Sequence, residues 1–126
     1  MGGAVGIQLA LPKRRTVAIV GDGSAMYSIQ ALWTAALLKL PITYVIPNNR
    51  GYRFLKERLV SFQGTDRFIG MDFRQPDLDF VALAQGFGLP AWRVTEPGDV
   101  AAALRQAMST DGPCLLDVSV ADGFGG

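Results

Sequence analysis

Histidine is absent from this 126-residue chain, and that absence excludes more than any residue present. It removes the commonest general base, the Ser–His and Cys–His nucleophilic pairs and most zinc sites. Any proton this protein moves must be carried by something other than its own imidazoles. Cysteine is nearly absent too. Cys114 stands alone, so no internal disulfide can form, and its place in the apolar run "PCLLDVSV" reads as core. No apolar run approaches the ~20 residues of a membrane span. The N-terminal "MGGAVGIQLALPKRR" carries its basic residues after its apolar ones, the reverse of a secretory signal, so a soluble, cytoplasmic protein is expected. An excess of one charge is lacking as well: Lys and Arg number 12, Asp and Glu 11. A net charge of +1 sets up no general field for nucleic acid. The two local basic clusters, Lys13-Arg14-Arg15 and Arg50/Arg53/Lys56/Arg58, read as solvated faces.

What is present suits one domain. The hydrophobic fraction is 49%, ample for a single core. Residues 2–11 look like the end of a helix stopped by Pro12. Thr16–Val20 and Ile42–Ile46 are short β-branched runs of the buried-strand kind. Between them Ile29, Leu32, Trp33, Ala36, Leu37 and Leu40 recur at helical spacing over 28–39, and Pro41 closes that helix. A basic helix is expected over 52–60 and a long surface loop over 61–78. Asp79 caps a helix to residue 87 with Phe80, Leu83, Ala84 and Phe87 on one face, and Gly88 stops it. A strand over 91–94, a helix over 97–109 opened by Pro97, and a strand over 114–120 follow, with a frayed tail "ADGFGG". Continuous apolar strands alternating with helices predict an α/β domain of three layers, a parallel sheet with helices on both faces.

In such sheets ligands sit at the carboxyl ends of the strands. Two turns stand there: Gly21-Asp22-Gly23-Ser24 after the first strand and Pro47-Asn48-Asn49 after the second. Gly21, Gly23 and a following helix N-terminus make a plausible anion site. Asp22 would repel a bare phosphate, but not a phosphate that carries a divalent cation. Mg²⁺ takes hard oxygens, usually one or two from protein plus those of substrate phosphates. A second oxygen donor on an adjacent strand end is then required, and Asn49 supplies one, with Gly51 placed to offer its backbone carbonyl. Positions 24–47 separate the two motifs, the length of one βαβ unit. A dinucleotide fingerprint fails because Met26 occupies the third glycine position, and a Gly-Lys-Ser/Thr phosphate loop is absent.

Gly-Asp-Gly, a gap of this size, then Asn-Asn resembles the motif of the thiamine-diphosphate-dependent enzymes, in their C-terminal diphosphate-binding domain. The stretch "GDGSAMYSIQALWTAALLKLPITYVIPNN" is most similar to benzoylformate decarboxylases, as are "DFVALAQGFGL" and "GPCLLDVSV". The resemblance implies thiamine diphosphate and Mg²⁺ as cofactors and decarboxylation of a 2-oxo acid as the whole enzyme's reaction. It implies that Asp22 and Asn49 hold the metal by side chains and Gly51 by its carbonyl. Gly21, Gly23 and Ser24 would meet the diphosphate, and Tyr52 stands where the family touches the phosphates. Leu55 would approach the reactive end of the cofactor or be an ordinary core leucine. Arg50 replaces the small residue usual there and is expected to face solvent. No catalytic residue falls on this chain: the family's glutamate, and the histidine and serine used in decarboxylation, belong to the pyrimidine-binding domain. Residues 1–126 are therefore expected to be one diphosphate- and metal-binding domain, a fragment or subunit of a three-domain enzyme. Its partners would be a pyrimidine-binding domain and, through apolar surface at Trp33, Phe54, Phe62 and the first segment, further copies of itself. A remnant that keeps the fold without binding cofactor alone is the alternative.

Overall fold

Four short strands form one sheet in the computed structural model, which describes residues 1–123: Thr16–Ile19 (β1), Ile42–Asn48 (β2), Ala91–Val94 (β3) and Cys114–Ser119 (β4). Their order is β1-β2-β4-β3, and every pair is parallel. Six α-helices connect them: Gly2–Ala10 (α1), Asp22–Ala25 (α2), Ala31–Leu37 (α3), Arg53–Gln63 (α4), Phe80–Gly86 (α5) and Val100–Ser109 (α6). Alternation along the strands divides the core. Ile42, Tyr44, Ile46, Ala91 and Leu115 pack with Ala4 of α1, Leu32 and Ala35 of α3, and Phe80 and Ala84 of α5. Cys114 and Leu116 pack on the opposite face with Ala107, Ala103 and Leu104 of α6. The layered parallel architecture is thus the one expected, with the lone cysteine in the core. No helix among the described residues is long and apolar enough to cross a membrane.

Buried polar groups close the connections. Gln8, 1% exposed, accepts from the Thr16 amide (2.8 Å) and donates to the Arg14 carbonyl (2.7 Å), tying the end of α1 to the start of β1. Arg15 leaves the solvated face expected of it. Its guanidinium donates to the Thr43 hydroxyl (3.1 Å) and to the carbonyls of Thr110 and Gly112. The tail is held as far as it is described: the Ala121 carbonyl accepts from Arg53 (3.3 Å) and Asp122 pairs with Arg74. Residues 124–126 of the expected frayed tail lie outside the described residues.

Several boundaries differ from expectation for identifiable reasons. The helix expected over 28–39 shrinks to α3. It ends in a Schellman motif, with Lys39 left-handed at φ 49°, Leu40 N–H on Ala35 O and Lys39 N–H on Ala36 O, so the chain has already turned before Pro41. Strand β2 runs on through Pro47 and Asn48, opposite Val118 and Ser119. Val45 accepts from the Val20 amide, so by alternation Pro47 faces the same side, beyond the end of β1. The donor that proline lacks is missing where that ladder has run out. Helix α4 extends to Gln63 and stops at Gly64 (φ 61°), which removes the first residues from the expected loop.

Candidate functional site

Because β1 and β2 pair in parallel, the turns that leave them share one edge of the sheet. The first turn carries Asp22, only 3% exposed. Its Oδ1 accepts from the Gly23 amide (2.8 Å) and its Oδ2 from the Gly51 amide (3.1 Å), across the two turns. The Gly51 amide also donates to Asn49 Oδ1, again at 3.1 Å. The Asp22 and Asn49 side-chain oxygens thus converge on one amide, between the two turns. Among the described residues no cation pairs with Asp22.

Every residue singled out from the sequence lines one cavity of about 280 Å³: Gly21 to Ser24, Asn49, Gly51, Tyr52 and Leu55. Three residues with other expected places line it too: Tyr27, to which the sequence assigns no role, Phe54, expected on an association surface, and Arg53. The basic cluster predicts a solvated face for Arg53; its place in the first turn of α4, directly after the Asn-Asn turn, is the signal that points to the cavity instead. Leu55 is 46% exposed, so it is not a core leucine. The glycines differ in why they are glycine. A Cβ on Gly23 would come within 2.5 Å of the Tyr52 ring, and one on Gly51 within 2.6 Å of the Met71 carbonyl oxygen. A Cβ on Gly21 would meet nothing within 4 Å, and φ there is −59°, so the folded chain itself does not require glycine at that point. The glycine turn itself coils into α2, a single turn over Asp22–Ala25 that the sequence does not announce and that is too short to sum a macrodipole. The longer helix whose N-terminus opens on the cavity is α4, which has no side-chain cap.

The two asparagines separate. Asn49 faces the cavity, whereas Asn48, the last residue of β2, donates to Asp117 Oδ1 (2.9 Å) and accepts from the Arg50 amide (3.1 Å). Asp117, fully buried on β4, also accepts from Arg93 Nε (3.1 Å). This bond raises the pKa of the Arg93 guanidinium above its ordinary value. Arg93 reaches Asp79 as well (2.7 Å). The hydrogen bond from the Ala82 amide, aided by Arg93, holds the Asp79 carboxyl below the usual carboxylate range. Asn48, Asp79 and Arg93, with Arg50 and Asp77, line a second and larger cavity of about 480 Å³. Arg50, half exposed, pairs there with Asp77. Each arginine in the larger cavity is matched by an aspartate, whereas Asp22 in the smaller cavity has no cationic partner among the described residues. Among the described residues no group of three or more His, Cys, Asp or Glu could cage a metal. One carboxylate, one amide oxygen and one carbonyl suit an ion that completes its shell from a ligand's phosphates.

The family model "Thiamine pyrophosphate enzyme, C-terminal TPP binding domain" matches residues 1–118. Over 122 residues the chain is 42% identical to the acetolactate synthase large-subunit-like protein IlvX of Mycobacterium tuberculosis, covering 93% of this chain and 24% of that protein. It is 39% identical to the benzoylformate decarboxylase of Pseudomonas aeruginosa, covering 91% of this chain and 21% of the relative. The structure of a thiamine diphosphate-dependent 4-hydroxybenzoylformate decarboxylase from Rhodococcus jostii superposes with a TM-score of 0.86 at 39% identity, covering 94% of this chain and 22% of the other. The chain thus spans between a fifth and a quarter of the proteins it matches.

Proposed function

The chain belongs to the thiamine pyrophosphate enzymes as their C-terminal cofactor-binding domain, and on that premise we propose that it anchors thiamine diphosphate through Mg²⁺ for the decarboxylation of a 2-oxo acid of the benzoylformate kind. Asp22 and Asn49 would hold the ion by side-chain oxygens and Gly51 by its carbonyl. The backbone at Gly21 and Gly23, with Ser24, would receive the diphosphate; Tyr52 would lie along the phosphates and Leu55 beside the reactive ring. The observation that carries this reading is the buried Asp22 carboxylate, aimed between two strand ends with only backbone amides to balance it. The bound cofactor would supply the electron sink for loss of carbon dioxide. The chain's own share is position and charge: a metal clamp at one end and an apolar wall, Leu55 and Phe54, at the other.

Binding and turnover are expected to part. Among the described residues Asp22 is the single carboxylate lining the cavity, and a carboxylate committed to a metal cannot also move protons. A general acid or base must come from a pyrimidine-binding domain, in the same enzyme or a partner chain. Calorimetry of the purified chain with thiamine diphosphate is expected to show binding that needs Mg²⁺ and vanishes with EDTA or with Asp22→Asn. The same samples given benzoylformate should release no aldehyde. Cofactor uptake that is indifferent to both the metal and Asp22 would overturn the assignment.

A further inference from the structure

Lys56 is a buried cation that the site does not use. It sits on α4 at 4% exposure. Its Nζ lies 2.6 Å from Asp72 Oδ1 and 5.3 Å from the centre of the Phe68 ring. A lysine is rarely buried without a specific partner, and the partner here lies in the long connection between α4 and α5. That connection lies against the proposed metal loop. Gly51 and Asp72 form an antiparallel bridge. The Tyr52 amide donates to the Met71 carbonyl (2.9 Å), and the Phe73 amide donates to the Arg50 carbonyl (2.8 Å). The Tyr52 and Phe73 rings meet edge to face at 4.7 Å. The absent Cβ atoms of Gly51 and Gly23 would run into this same set: Met71 O and Asp72 Oδ1 for the first, the Tyr52 ring and Phe73 for the second.

The loop needs such support. Arg50 is a non-glycine residue at φ 63°, a conformation that L side chains adopt at a cost and that persists only when its surroundings over-determine it. Its carbonyl is held by Phe73 and its amide by Asn48. The next residue, Gly51, has its amide on Asp22 and Asn49.

We infer that Lys56 and Asp72 are positioning residues. Their ion pair locks segment Met71–Phe73 onto Arg50–Tyr52 and so fixes the Gly51 carbonyl and the Asn49 side chain toward the metal. The inference rests on the metal-anchoring reading above and goes beyond it, since neither residue touches the ion. Removing either partner breaks the same lock, so the two single losses should be alike and the double variant no worse than either.

The test uses Lys56→Met, which keeps the apolar stem, Asp72→Asn, which keeps the shape, and the two combined, all in the full chain. Amide hydrogen exchange is measured first without any ligand. Protection is expected to fall at Tyr52 and Phe73 in each variant while the amides of β2 and β4 keep theirs, a split that a general loss of stability would not produce. Mg²⁺ is then titrated in the presence of thiamine diphosphate. Its affinity is expected to fall by about 10- to 100-fold, the range for groups that orient metal ligands without touching the metal. Unchanged protection at Tyr52 and Phe73, protection lost equally throughout the sheet, or local loosening with unchanged metal affinity would each overturn the inference. Should the parent chain itself bind no metal, the anchoring reading fails, and the exchange measurement alone decides whether the lock exists.

Discussion

Tyr44 and Asp22 are both buried polar residues, and they differ in what the fold gives them. The Tyr44 hydroxyl lies in the centre of the sheet, fully buried, with no hydrogen-bond partner among the described residues. Burial pushes its pKa up to about 12. An unpaired buried hydroxyl costs free energy that phenylalanine would not. Tyr44→Phe is therefore expected to leave stability unchanged or raise it by up to about 1 kcal/mol, read as the urea midpoint at constant slope. A loss of that size would mean that the hydroxyl has a partner after all. Asp22 instead has a backbone donor for each oxygen and no cationic partner among the described residues, the arrangement that the proposed metal site requires. Cys114 belongs with Tyr44: burial raises its thiol pKa, which suppresses the thiolate and leaves a small core side chain. Asp22 could be found in the sequence because an acid between two glycines contradicts the obvious ligand. Asp117 and Lys56 could not, because nothing in a residue's neighbours along the chain says that its partner lies 24 positions away in Arg93 or 16 away in Asp72.

At the scale of the element, α5 shows what local chemistry can dictate. Asp79 Oδ1 accepts from the Ala82 amide at 3.0 Å, an N-cap, and Gly88 at φ 88° closes the other end. Asp79→Ala should cost about 1 kcal/mol at neutral pH. The folded carboxyl is held below its ordinary range, so the cap's contribution is complete above the unfolded value near pH 4 and is lost as pH falls through the lower folded value. The Arg93 pair adds little, since Asp79 is 53% exposed there and solvent screens it. Thermal melts of parent and variant should converge in acid; a constant gap down to pH 2 would mean the cap does not work through its charge. Helix α5 and strand β3 were legible because cap, apolar stripe and stop all lie within a few residues. Three other boundaries were not. At α3 a lysine, not a glycine, takes the left-handed position. At β2 a proline continues a strand because the neighbouring ladder has ended. Helix α4 runs past Val60 although Phe62 points outward at 78% exposure, which breaks the apolar period that would have signalled its length.

For the molecule as a whole, the sheet is covered unevenly. Helix α6 shields one face at β3, β4 and Val45, but on the far side of that face β1 leaves Val17 and Ile19 at 45% and 71% exposure. Among the described residues strand β1 is also an edge, paired only with β2. Exposed apolar edges are templates for another chain. More apolar surface stands elsewhere: Trp33 and Leu37 lie one turn apart on α3, and Phe54 and Phe62 flank Arg58 on α4, whose guanidinium stacks on both rings. Single exposed apolar residues are ordinary, but groups of this kind on a small domain drive association. The chain is accordingly expected to run as a dimer or larger species, measured by light scattering coupled to size exclusion at high concentration. A charge placed at the barest point of the edge, Ile19→Lys, should shift the population toward smaller species while leaving Mg²⁺-dependent cofactor uptake intact, because Ile19 lies outside the cavity. A clean monomer in the parent chain would show that these patches are too dispersed to hold a second copy. An Ile19→Lys chain as large as its parent would move the contact to the Trp33 or Phe54 surface, where the same substitution strategy can be repeated.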